Sequence, residues 1–436
     1  EKTLSSAEEA PVKTQTTTAI APAIAPATTT TTPRSIADAF PALGASSPAY
    51  SKYKTVATLR AHLDVVRGVA FHPEQPLAVS SSDDGMVKVW NLARVKRPND
   101  LRSAILQDPV RTCYSHTGAA LCVAAATGSN DGGNFFASGG ADGIVRLWTV
   151  PTGRDAIAGR PSSKADRDSY LYGKQHRLAG HSDAVWSVAA AGNLVVSASA
   201  DGTGQVWRLG NDSGDGDAHR EEKHRSTKKK KRAKGMLPSA VLRKDGRGGG
   251  DSDVPTSVVL PGPLSSSSGL GRAVALFGYA SGDVGHWDLT TGAIVASIGD
   301  ETNVNTNGIA LHGTMPLLFA ARSDGSLRAY DLRANQVVHE NTVHVSGASS
   351  VCVHPGGFFV ATGGIDGDVR VWDVRSVSSL KPCCCCCCYF GVGVGGWGFW
   401  GFFLFFFIYF HPVYADHTVI FFQYSINIIS LRFISP

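Results

Sequence analysis

The chain has 436 residues, 18% of them charged and 48 of them glycine, with a formal net charge of +5. Sparse charge and abundant glycine suit many short strands joined by tight turns. The positive balance is local: residues 210–250 hold twelve Lys and Arg against six Asp and Glu, so the remainder sums to 5 − 6 = −1, which gives no support to a nucleic-acid-binding body.

Residues 1–48 are Ala, Thr, Pro and Ser-rich, with a run from Thr28 to Thr32, and predict a disordered tail. Within it, Ser35 to Leu43 has an apolar face broken by Pro41, read as a chance cluster ahead of a docking peptide. The opening EKTLSSAEEA lacks the apolar core of a signal peptide, and it lacks an initiator Met, as a fragment would. Six of the nine cysteines form one run, Cys383 to Cys388; Cys113, Cys122 and Cys352 have no paired spacing and read as reduced and intracellular.

Residues 49–375 repeat. The clearest copy is Gly180 to Trp207, GHSDAVWSVAAAGNLVVSASADGTGQVW, three short strands with a turn at Asp201-Gly202. Copies close on Trp90, Trp148, Trp207, Trp287, Tyr330 and Trp372, and five of these six have an Asp six residues earlier: Asp84, Asp142, Asp201, Asp324 and Asp366. A histidine recurs four times ahead of the Asp, as His62, His116, His181 and His344. The pattern points to WD40 blades: an all-β propeller of six recognisable blades, its seventh missing or replaced. A strand at Tyr53 to Leu59 precedes the first corner histidine, where an N-terminal strand would complete the last blade.

The spacing has a physical reason. The turn Asp accepts from the imidazole, the imidazole reaches a strand hydroxyl, and that hydroxyl reaches the indole N–H. Such a buried network stabilises only when every member is satisfied, so the groups recur together. In the third unit the hydroxyl is Ser197 or Ser199, with Ser199 taken as the network member. A His and Asp repeated once per blade are corner staples, so no catalytic residue, cofactor or metal site is expected.

Long intervals place extra loops at Lys96 to Arg102 and Gly153 to Lys174, candidates for partner contact. Residues 210–253 read as a basic disordered insertion, with KKKKRAK at Lys228–Lys234; over 223–234 it also suits a nuclear-localisation signal or polyanion contact. The fourth unit, Val254 to Leu289, is degenerate: Ser281 stands in the Asp position, Asp283 comes two residues late, and no corner histidine precedes it. The fifth has Tyr330 for Trp.

The tail at 376–436 is apolar and of low complexity. Cys383 to Phe410 carries no charge over 28 positions, long enough for a membrane helix, but its homopolymeric, Gly-rich content reads as translated non-coding sequence first and a membrane anchor second. Its C-x-x-C spacings lack a second ligand cluster, which argues against zinc.

Three stretches, RAHLDVVRGVAFHP at 60–73, GHSDAVWSVA at 180–189 and HVSGASSVCVHPGG at 344–357, together with the degenerate fourth unit opening near VPTSV, resemble the striatin family over roughly 50–375. The resemblance implies a non-enzymatic scaffold joining a type 2A protein phosphatase to Ste20-like kinases. The family's caveolin-binding, coiled-coil and calmodulin-binding segments are absent from residues 1–48, which hold no heptads, and what the resemblance carries over is binding through the propeller. Without a seventh repeat, the strand at Tyr53 to Leu59 is expected to leave an open edge unless six blades close, and residues 50–378 alone to be poorly soluble.

Partners of propellers dock where loops enter the innermost strands. Side chains three and five residues after each corner histidine are expected there: Val65 and Arg67, Ala119 and Leu121, Ala184 and Trp186, Gly347 and Ser349. Arg67 and Trp186 are anchor types, with packing of Trp186 between blades as the alternative. Other proteins are the expected partners, in the cytoplasm; a nuclear place would run through Lys228–Lys234 and a membrane place through the 383–410 tail. The rival function is a WD40 adaptor with a nuclear or nucleic-acid-associated role through 223–234, a loop without aromatic interleaving.

Overall fold

The second and third strands of each unit are joined by a turn that needs a left-handed backbone, and glycine supplies it: Gly85, Gly202 and Gly325 have φ of 75°, 77° and 85°. Around these turns the computed structural model describes residues 54–73, 75–92, 108–114, 116–127, 134–150, 175–209, 237–246, 252–261, 274–299, 302–354, 356–374, 408–410, 419–425 and 428–433. The expected N-terminal tail, the loops at Lys96 to Arg102 and Gly153 to Lys174, Lys228–Lys234 and the cysteine run all lie outside the described residues.

After β1 (Lys54–Leu59) come six antiparallel sheets in chain order. Blade one is β2 (Val66–Phe71), β3 (Leu77–Ser82), β4 (Met86–Asn91) and β5 (Arg111–Tyr114). Blade two is β6 (Ala120–Thr127), β7 (Asn134–Gly140), β8 (Ile144–Thr149) and β9 (Gln175–Ala179). Blade three is β10 (Val185–Ala191), β11 (Leu194–Ser199), β12 (Thr203–Arg208) and β13 (Ala240–Arg243). Blade four is β14 (Pro255–Val259), β15 (Val274–Tyr279), β16 (Val284–Asp288) and β17 (Ala293–Ile298). Blade five is β18 (Thr306–Leu311), β19 (Leu317–Arg322), β20 (Ser326–Asp331) and β21 (Gln336–Thr342). Blade six shows three strands among the described residues, β22 (Ala348–Val353), β23 (Phe359–Gly364) and β24 (Val369–Asp373). Neighbouring sheets meet through their first strands in the order β2, β6, β10, β14, β18, β22, which makes those strands the innermost ones of a β-propeller.

The core sits in the seams between blades. Val87 and Val89 of blade one pack against Phe136 and Trp148 of blade two, while Val145 and Leu147 turn the other way, onto Val185, Val195 and Trp207 of blade three. A third strand buried on both faces explains why these segments read as near-continuous apolar runs. The turn glycines lock the seams. A Cβ on Gly85 would stand 3.1 Å from the carbonyl oxygens of His116 and Gly118, and one on Gly143 equally close to those of His181 and Asp183, so each turn presses against the corner loop of the next blade.

Two expectations need correction. The insertion expected to be disordered over 210–253 contains β13, which pairs with β12 from Thr203↔Arg243 to Val206↔Ala240, and an isolated bridge between Asp245 and Ser252. Its AVLR sequence is a half-buried strand hidden between glycine and lysine clusters. The tail does not leave β1 unpaired either. Three tail strands, β25 (Ile408–Phe410), β26 (Val419–Ser425) and β27 (Ile428–Phe433), form a sheet in the order β1-β27-β26-β25, with β1 and β27 antiparallel from Lys54↔Phe433 to Leu59↔Ile429. This sheet stands in place of a seventh WD unit, with β25 beside β22. Among the described residues no helix is long and apolar enough to cross a membrane.

Candidate docking face and the networks beneath it

At the corners of blades one, two, three and six a histidine lies under the loop that enters the innermost strand. Burial lowers the pKa of His62, His116, His181 and His344, so each ring is neutral. A carboxylate only accepts, which fixes the tautomer: the Nδ1–H donates to the Asp, leaving Nε2 to accept from the strand hydroxyl. In blade one His62 donates to Asp84 (2.9 Å), the Ser80 hydroxyl donates to His62 (2.7 Å), and the Trp90 Nε1–H donates to Ser80 (2.9 Å). In blade two His116 stands 3.0 Å from Asp142 and 2.8 Å from the Ser138 hydroxyl, which accepts from the Trp148 Nε1–H at 3.0 Å, but the Arg146 guanidinium also reaches His116 Nδ1 at 2.7 Å and competes there with Asp142. In blade six the hydroxyl is Thr362, donating to His344 (2.9 Å) and accepting from Trp372 (3.0 Å), while His344 donates to Asp366 (3.0 Å).

Burial alone would raise the carboxylates. Hydrogen bonds from the histidine and from the next backbone N–H, Leu63 on Asp84 and Thr117 on Asp142, outweigh it and hold Asp84 and Asp142 below the usual range; Arg146 adds its charge at Asp142, 2.9 Å away. Asp201 is held down in the same way by Thr203 and His181.

Blade three departs from expectation in two ways. The hydroxyl that donates to His181 is Ser197, at 2.6 Å, whereas Ser199 donates to the carbonyls of Asp183 and Ala184 at 3.1 and 2.9 Å. Ser199 therefore secures the corner loop, and His181 still donates to Asp201 at 2.9 Å. The Trp207 Nε1–H, buried, finds no acceptor among the described residues, so the copy cleanest in sequence is incomplete in space.

Blades four and five use cations instead. Lys244, which follows β13, reaches Asp253 and Asp283 at 2.7 Å each and sits 4.7 Å over the Tyr279 ring, whose hydroxyl accepts from the Trp287 Nε1–H at 2.8 Å. In blade five the fully buried Arg322 donates to Thr302 at 2.7 Å, four residues ahead of β18, where the other units carry their histidine. Asp324 accepts from the Ser326 N–H and hydroxyl at 2.8 and 2.6 Å, and Tyr330 is buried in the seam with blade four, so these two do not form the histidine network expected of them. Spacing from the aromatic would have found Thr362, ten residues before Trp372, as Ser80 and Ser138 precede theirs. No spacing announces Lys244 or Arg322.

Above these networks the innermost strands share a second feature. Each has one extra residue against its neighbour near the start of the strand: Arg67, Leu121, Trp186, Thr256, Asn307 and Ser349. A bulge of this kind re-aims one side chain. The residues two before them, including Val65, Ala119, Ala184 and Gly347, accept backbone N–H groups of the turns at 2.8–2.9 Å, from Asp83, Ala141, Ala200 and Ile365, and so fix the loop. The bulged side chains divide by blade. Thr256 donates to the Gly278 carbonyl (3.0 Å) and to that of Thr306, Asn307 donates to Ala348 (2.8 Å), and Ser349, buried, donates to Gly363 (3.0 Å). Those three are stitched into the fold, which removes Ser349 from the docking residues expected. Arg67 pairs with Asp83 at 2.6–2.8 Å, Leu121 is half-buried, and Trp186 is 49% exposed. Val65 and Ala184 are half-buried beside them.

Comparison with known proteins follows the corner histidines. The WD domain, G-beta repeat model matches residues 53–91, 107–149, 173–208 and 335–373, the four units with a corner histidine. The chain is 27% identical to a striatin homolog of Dictyostelium discoideum over 78% of its own length and 38% of the relative's. It is 28% identical to human striatin-3 and to human striatin, each over 74% of this chain and 36% of the relative. It thus spans little more than a third of these relatives. Corner networks, sheet order and this similarity together identify the chain as carrying a striatin-like WD40 half.

Proposed function

We propose that the chain is a non-enzymatic protein-interaction scaffold whose partners dock over blades one to three, and that it serves as an adaptor in a phosphatase and kinase signalling assembly. The observation that carries the docking site is Trp186. A bulge holds its indole in water at the entrance of β10, at a cost that contact with a partner would recover. Leu121 occupies the equivalent place on blade two and Arg67, paired with Asp83, that on blade one, whereas the matching residues of blades four to six donate to backbone carbonyls. The similarity to striatins supports the finer reading, with a type 2A protein phosphatase and Ste20-like kinases as members of the assembly.

The test is capture from the host's lysate on the immobilised full chain, with identification of what binds. Trp186→Ala should remove a defined set of proteins while leaving the melting temperature unchanged. Retention of the same set would sink the docking site, and absence of any phosphatase or Ste20-like kinase from the set would sink the assembly. We place the chain in the cytoplasm, with nuclear entry through Lys228–Lys234; imaging a tagged chain with those lysines replaced by alanine tests that entry.

A further inference from the structure

Building on Trp186 as the anchor, we infer that the segment docking there is basic, an arginine- or lysine-bearing stretch of a partner protein. The sign of the surface is the first reason. Asp64 and Asp183 stand exposed in equivalent corner loops, each three residues before a bulged residue, Arg67 or Trp186. Each carboxylate accepts the next backbone N–H through Oδ1, at 2.7 Å from Val65 and 2.6 Å from Ala184, and so has a fixed place in its loop.

Two cations of the first two blades are engaged. Arg67 is held by Asp83, and Arg146, beneath the neighbouring corner, is 5% exposed against Asp142. Among the described residues, the exposed charged side chains of these two corner loops after the histidine, Asp64 and Asp183, are carboxylates. A guanidinium or ammonium group is drawn to the face of an indole, and a carboxylate in the same loop adds to that attraction. An acidic or nucleic-acid partner meets repulsion at the same place. The site is also preformed: the Ser199 hydroxyl donates to the carbonyls of Asp183 and Ala184, and the Ala200 N–H donates to Ala184 at 2.9 Å, so little ordering remains to be done on binding.

The experiment is fluorescence polarisation on the full chain with labelled Gly-Ser peptides that carry several Arg, or Gln at the same positions. The Arg peptide should bind more tightly and weaken as salt is raised. Trp186→Ala should weaken it by about 10-fold or more, Asp183→Asn by about 3-fold, and Trp186→Phe, which keeps an aromatic face, by no more than about 3-fold. Equal binding of the Gln peptide, or indifference to both Trp186→Ala and Asp183→Asn in chains that melt normally, overturns the inference. If lysate capture still depends on Trp186 while the Arg peptide shows no preference, the basic partner is wrong and the docking face stands. If capture ignores Trp186, the docking face itself is wrong.

Discussion

Blades one, two, three and six hold their corners with a neutral histidine between a carboxylate and a hydroxyl; blades four and five hold theirs with a lysine and an arginine. Both devices fill the same place, the junction between a turn and the loop of an incoming strand. The difference lies in what each gives up when disturbed. A neutral network fails by gaining a proton or losing one small group, whereas the lysine of blade four, between two aspartates, fails by leaving like charges face to face.

Acid should expose the contrast most strongly. The corner histidines have folded-state pKa values below the usual 6.5, so the folded chain binds fewer protons than the unfolded one. Their stabilisation is complete above that value and declines as pH falls below it, by at most about 1.4 kcal/mol per pH unit for each histidine. Asp84, Asp142 and Asp201, held below 3.8, add a second loss at lower pH as each carboxylate is protonated in the folded state. Denaturant titrations across pH should show the first decline, shallower in His62→Gln; a flat profile down to pH about 4 would remove the neutral-histidine account. Lys244→Met, at constant pH, is expected to cost about 3–5 kcal/mol by leaving Asp253 and Asp283 unpaired. A loss below about 1 kcal/mol would mean that the cation is incidental. Ser138→Ala, which strips one acceptor from Trp148 and one donor from His116, should cost about 1–3 kcal/mol. Thr362→Ser keeps the hydroxyl and should stay within about 1 kcal/mol, so a larger drop would assign the Thr362 methyl, not its oxygen, the main part. Smallest of all, Trp186→Ala should change stability by no more than about 0.5 kcal/mol, and a clear fall in melting temperature would return that indole to the seam.

The parts of this arrangement legible in the sequence are those with fixed spacing inside one blade. Asp six residues before Trp follows from a turn and a strand, both local, and so did the six blades. Ser197 and Ser199 share one strand face, two residues apart, so the face alone did not separate them; the ten-residue spacing before the aromatic does, and pairing agrees, since Ser197 lies opposite Gln205, two short of Trp207. Lys244 was illegible because it belongs to the chain of one blade and the corner of the next, beyond an insertion of arbitrary length. The sheet formed by β1 with the tail was hidden too, as its strands IYF, VIFFQYS and IISLRF carry neither the Asp nor the Trp that marked the other units.

The position of β13 has a further consequence. It completes blade three, yet it follows the connection from Leu209 to Leu237 and is joined directly to the lysine that clamps blade four. A backbone break anywhere in that connection would yield two polypeptides, the later one carrying the outer strand of the earlier one's last sheet. Such halves would interlock like the parts of a split protein, so cleavage there need not undo the molecule.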